Sequence, residues 1–320
     1  MLPFSTMRRV ILLINMCACV AWAGAAENRE KATQLLERFR DGKANVNETA
    51  NQIKYLGEER YATDELIEML GPPKTREKVL LVLSQVAIYD LQTEHTLLEF
   101  LKDPDISVVM LSLRTLGHIN AVKSVAPIAE KLADDRVGVR KAAAEALGQL
   151  KQKTSGAALM SAVAREKELD AKVAEILAAG QANDPRQVKA LEALLTDDSE
   201  ATRLAATQAL CQMGQKKGLA EVQKLLSSPE EARRLQGVKM FEGSNAAAAK
   251  NLKPSLMDAS VKVRAMAGRI MAQAGVTGMI DWLVLASAAA SIDDRLIIER
   301  EIEPLRLSDA QRNLILKKAK

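Results

Sequence analysis

DDRVGVRKAAAEALGQL, residues 134–150, opens on two acids, steps through Val139-Arg140 and closes on an alanine-rich run ending in Leu150. Read alone, the stretch is an amphipathic helix behind an acidic turn. Val137, Val139, Ala143, Ala146, Leu147 and Leu150 fall at helical spacing, and Asp134-Asp135 supplies the turn and the N-cap. DDSEATRLAATQALCQM (197–213) and DASVKVRAMAGRIMAQA (258–274) are variants of the same pattern. The recurrence, rather than any single helix, decides the fold.

Aligned on the valine-arginine step, the chain gives anchors at Lys78, Val109, Arg140, Lys172, Arg203, Arg234, Arg264 and Arg295, spaced 30 to 32 residues apart. A fixed period of this length marks a repeat architecture. A large apolar residue stands seven positions after most anchors: Leu116, Leu147, Leu210, Phe241 and Met271. Acids precede the anchors at Asp134, Asp197 and Asp258, while in LDAKVAEILAAG the acid is Asp170, two residues ahead of Lys172. Each unit reads as helix, acidic turn, helix, with Gly148 and Lys151 as the exit of the one that contains Arg140. A two-helix unit leaves one apolar face bare and is stable only when the next unit stacks on it. With aromatic residues at 3% and few β-branched runs, the expected fold is all-α, a solenoid of about eight two-helix repeats. Residues 1–26 read as a signal peptide, 27–71 as an N-terminal helical cap, 72–307 as the array and 308–320 as a C-terminal capping helix.

The first 26 residues carry Arg8-Arg9, an apolar stretch from Val10 to Ala23, and small residues at Ala21-Trp22-Ala23 or Ala23-Gly24-Ala25 for cleavage. The expectation is export to the periplasm, with secretion or a retained anchor as variants. No other stretch reads as membrane-spanning; the apolar segment VTGMIDWLVLASAAA is broken by Asp281. Loss of Arg8 and Arg9 leaves 43 basic residues against 41 acidic, a formal charge of +2. Such a balance, with so few aromatic residues, supplies neither the field nor the stacking platforms of a nucleic-acid binder. Cys17 and Cys19 leave with the signal, and Cys211, in an alanine-rich helix, is read as a small core residue.

The pattern D-x-x-V-x-V-R-x-x-A-x-x-A-L-G, best kept by DDRVGVRKAAAEALG and DASVKVRAMAGRIMA, resembles the short bacterial form of HEAT repeats, the PBS-lyase HEAT-like type. The resemblance covers about 72–307. It implies a superhelix in which the turn acid pairs with the basic residue of the following helix, so Asp134 with Arg140, Asp197 with Arg203 and Asp258 with Arg264. Whether each pair lies within a unit or between units the sequence leaves open.

Catalysis finds little to work with. His95 and His118 are the only histidines, and with one cysteine they make no closed zinc site. HEAT-repeat hydroxylases that act on deoxyhypusine bind iron through His-Glu dipeptides; here His95 precedes Thr96 and His118 precedes Ile119. Phycobilin lyases share the repeat, but the repeat is no catalytic signature. No nucleophile elbow, phosphate loop or dinucleotide fingerprint is present, so no catalytic residue, metal or cofactor is assigned. The expected function is a noncatalytic interaction scaffold of the cell envelope; the alternative is a HEAT-repeat enzyme of lyase-like or metal-dependent oxygenase-like type.

A partner would lie along the row five residues after each anchor: Leu83, Arg114, Glu145, Leu177, Gln208, Lys239, Arg269 and Arg300. Its basic members, Arg114, Lys239, Arg269 and Arg300, are the candidate contacts for an acidic protein partner. Trp282 is a candidate aromatic anchor, although its spacing with Ile280 and Leu283 also fits a core position.

Overall fold

The computed structural model describes residues 25–287 and 292–316, and these are helical throughout, with short connecting turns. The fold class is all-α, an α-solenoid, as the period requires. The chain divides into two compact units, one ending at Ile128 and the other beginning at Ala129.

The first unit holds α1 (25–40), α2 (Val46–Leu56), α3 (Glu59–Glu68), α4 (Pro73–Val86), α5 (Leu91–Phe100), α6 (Ile106–His118) and the start of α7 (Val125–Glu130). Pro72-Pro73 starts α4, where a missing N–H costs nothing because the first helical turn has no partner for it. α2 packs on α4 and α4 on α6, while α3 and α5 cover the other side.

The second unit continues as α8 (Val137–Leu150), α9 (Gly156–Arg165), α10 (Leu169–Ala182), α11 (Val188–Ala193), α12 (Glu200–Gln212), α13 (Lys216–Leu226), α14 (Glu231–Lys239), α15 (Ala246–Ala249), α16 (Val261–Gln273), α17 (Met279–Ala286), α18 (Ile292–Ile302) and α19 (Asp309–Leu316). α8 stacks on α10 and α10 on α12; α13 bridges α12 to α14, which then stacks on α16, and α16 on α18. Small residues set the approach: a methyl added to Gly180 would stand 2.5 Å from Cα of Ala209. A backbone atom cannot give way, so α10 and α12 are as close as two helices of this sequence allow. In the repeat of α15 the first helix is only four residues long and passes into a 3-10 stretch, Lys250–Met257, that contains Pro254. Proline has no N–H for the α-helical ladder.

Seven anchors from Val109 to Arg295 stand at the fourth residue of α6, α8, α10, α12, α14, α16 and α18. Lys78 does not. The fourth residue of α4 is Arg76, and a further column confirms the shift. Seven residues after Arg76 comes Leu83, fully buried like Leu116, Leu147 and Leu210. Leu83 therefore leaves the candidate surface row, and the half-buried Leu81 takes its place. The exits of the second helices also recur, each in left-handed backbone: Asn120, Lys151, Asn183, Gly214, Gly243 and Gly275. Gly148 is no exit; it lies inside α8, buried, where an added methyl would touch Ala178 of α10 and the Gln181 side chain.

Candidate functional site

Four anchor arginines, Arg140, Arg203, Arg234 and Arg264, close the turn that precedes their own helix. Arg140 donates from one guanidinium nitrogen to the carbonyls of Asp134 and Asp135, at 2.9 and 3.0 Å. Arg203 does the same to Asp197 and Asp198, Arg234 to Ser228 and Pro229, and Arg264 to Asp258 and Ala259. Arg76 reaches Leu70 and Gly71 in the same register. These carbonyls end the preceding helix and lack partners within it, so a cationic donor satisfies them directly.

The turn acids face the other way. In place of the expected pairs Asp134 with Arg140, Asp197 with Arg203 and Asp258 with Arg264, the carboxylate accepts from the basic residue one repeat earlier: Asp103 from Arg76 at 2.8 Å, Glu166 from Arg140 at 2.6 Å, Asp258 from Arg234 at 2.7 Å, and Asp197 lies 3.5 Å from Lys172. The acid also bends its own turn by accepting the N–H two residues ahead, as Asp134 does from Arg136, Asp197 from Ser199 and Asp258 from Ser260. Asp134 is therefore not the N-cap of α8; that position is Arg136. Nor is Asp170 the turn acid of its repeat. That role belongs to Glu166, six residues before Lys172, and Arg140 hydrogen bonding holds its carboxyl down to about 2.

The second helices of the second unit present an open trough of about 540 Å3. Its floor is apolar, built by Leu169, Val173, Ala174, Leu177 and Ala178 of α10, and its rim carries Lys141, Glu145 and Gln149 of α8 with Asp170 and Gln181 of α10. Leu169 is 46% exposed. Glu145 and Leu177 belong to the row expected from the sequence; Lys141, Gln149 and Gln181 do not, and an alignment on the exposed column of each second helix would have found them.

Of the basic candidates, Arg114, Lys239 and Arg300 are exposed. Arg269 is not available: its guanidinium is shared between Glu301 at 2.7 Å and Glu242 at 2.9 Å and also donates to Gln273. It ties three repeats together instead of facing a partner. Trp282 is placed on α17, but its side chain lies outside the described residues, as does residue 1–24 of the expected signal. Cys211 is fully buried in the core around Phe241 and Met271, and burial pushes its thiol up to about 12, which removes it as a nucleophile at neutral pH. Among the described residues no three His, Cys, Asp or Glu side chains group to hold a metal. No described helix is long and apolar enough to cross a membrane.

A family model described as HEAT repeats matches residues 63–148 and 93–175. Residues 63–175 carry HEAT repeats. Among solved structures, the HEAT array is similar to the complex of CpcE and CpcF of phycocyanin lyase from Nostoc sp. PCC7120. That likeness spans 70% of this chain and 93% of that one, at 19% identity and a TM-score of 0.53. At that identity it shows the fold alone. An engineered protein (16% identity, 85% and 80% of the two chains, TM-score 0.41) and human deoxyhypusine hydroxylase (15%, 78% and 98%, TM-score 0.34) are more distant. No curated protein matches the chain in sequence.

Proposed function

We propose that this HEAT array is a noncatalytic protein-binding scaffold of the cell envelope, exported by its N-terminal segment and holding a protein partner along the second-helix face of the second unit. The observation that carries the reading is the trough over α8 and α10. An apolar floor supplies contact area, and a rim of amides and mixed charges supplies orientation. Outside the trough, exposed Lys239 and Arg300 of the same unit favour acidic segments on the partner. Periplasmic location rests on Arg8-Arg9, the apolar stretch and the small residues at 21–25.

Photo-crosslinking from position 177 in the envelope fraction tests this reading. One partner should be captured by the otherwise wild-type chain, lost on Val173→Asp, and weakened by Lys239→Glu with Arg300→Glu. Capture unaffected by Val173→Asp would remove the trough as the site. Turnover or stoichiometric metal in the purified mature protein would remove the noncatalytic assignment.

A further inference from the structure

The third residue after each anchor faces the interior of the stack. In the second unit this column reads Ala143, Glu175, Ala206, Gly237, Ala267 and Ile298, all buried. Glu175 is the exception in kind. It has no exposed surface, and neither carboxyl oxygen has a hydrogen-bond partner. A carboxylate so placed is costly in its charged form, whereas the small residues of the sister repeats cost nothing there.

Its surroundings do not neutralise it. The charged groups that act on Glu175 come from α8 (Arg140), from α9 (Arg165) and from the connection between α9 and α10 (Glu166). Arg140 is already committed to Glu166 and to two carbonyls, and Arg165 donates to the carbonyl of Leu132. From α12 and from the 3-10 turn Lys153–Ser155, which also pack on α10, no charged group acts on it among the described residues. Burial first, then the Glu166 charge, pushes its carboxyl up to about 7.

The helix that carries Glu175 inside also carries the trough outside, since Leu169, Asp170, Val173, Ala174, Leu177, Ala178 and Gln181 all belong to α10. We propose that Glu175 is a proton-sensing joint beneath the trough: protonated, it lets α10 seat against α8; ionised, it competes with Glu166 for Arg140 and loosens that seat. Binding on this face is then strongest in mildly acidic surroundings and weakens toward alkaline pH. The regulatory part rests on the function proposed above; the joint itself does not.

The sign follows from linkage. A carboxyl whose folded value lies above its unfolded one adds stability that is complete near pH 4.5 and is lost as pH rises through about 7. Hydrogen exchange of the full mature chain, read on peptides from 137–182 without any partner, tests the joint. Wild type should lose about a hundredfold in local protection between pH 4.5 and 7.5, after correction for intrinsic exchange, at no more than about tenfold per pH unit. Glu175→Ala, which installs the residue of the sister repeats, and the isosteric Glu175→Gln should both abolish that slope. An equal slope in both variants would overturn the proposal. Partner capture at pH 5.5 and 8 then separates the two readings: a slope without capture sinks only the scaffold function, and capture without a slope sinks only the joint.

Discussion

The rungs built on Arg140 and Arg203 stand two repeats apart in the second unit and share only half of their bonds. Both arginines close their own turns through two carbonyls. Beyond that they differ. Arg140 also grips Glu166 in the next repeat through two nitrogens, at 2.6 and 2.9 Å. The residue in the position of Glu166 for Arg203 is Ser228, whose hydroxyl accepts the N–H of Glu230 from within its own turn and makes no bond to Arg203. Closing the turn is therefore what Arg140, Arg203, Arg234 and Arg264 share, and the ionic link to the next repeat is an addition that some repeats omit.

That difference can be broken or sharpened by measurement. Arg140→Ala should have the largest effect, about 3 kcal/mol in urea unfolding, because it strands a Glu166 carboxylate whose side chain is 3% exposed as well as two carbonyls. Arg203→Ala strands the carbonyls alone and should cost about 1–2 kcal/mol. Equal losses would mean that the link to Glu166 contributes nothing.

Acid should separate the two rungs further. Glu166 titrates at about 2 in the folded chain, below its unfolded value, so the stability it contributes is present above pH 4.5 and is lost as pH falls toward 2. The deficit of Arg140→Ala relative to wild type should shrink over that window, and the deficit of Arg203→Ala should not follow it. The smallest effect is a gain: Ser228→Asp supplies the absent acid and should stabilise by no more than about 1 kcal/mol, as partly exposed pairs do. Its benefit should vanish in the Arg203→Ala background.

The period, the helical class and the buried columns at Leu116, Leu147, Leu210, Phe241 and Met271 were legible in the sequence, because an apolar residue at a fixed distance from a helix start has one place to go. What misled the reading was chemistry that two kinds of residue can perform. Lys78 matched the spacing, but only a guanidinium at Arg76 can reach two carbonyls and a carboxylate together. Asp170 matched the acidic pattern, yet it lies on the exposed rim while Glu166 makes the turn. Arg269 fitted a basic surface row, and two acids brought in from neighbouring repeats cover it. Those acids are 27 and 32 residues distant, beyond any local pattern. Glu175 was visible in principle: a glutamate in a column of the second unit that otherwise holds only alanine, glycine and isoleucine is a signal once the register is known.

The stack of rungs rests on a register that makes Arg76, and not Lys78, the rung of the first regular repeat. Urea unfolding of Arg76→Ala and Lys78→Ala, measured side by side, tests it directly. Arg76→Ala should lose about 2 kcal/mol through its unpaired carbonyls and Asp103, and Lys78→Ala, an exposed lysine, should stay within about 0.5 kcal/mol of wild type. A larger loss from Lys78→Ala than from Arg76→Ala would contradict it.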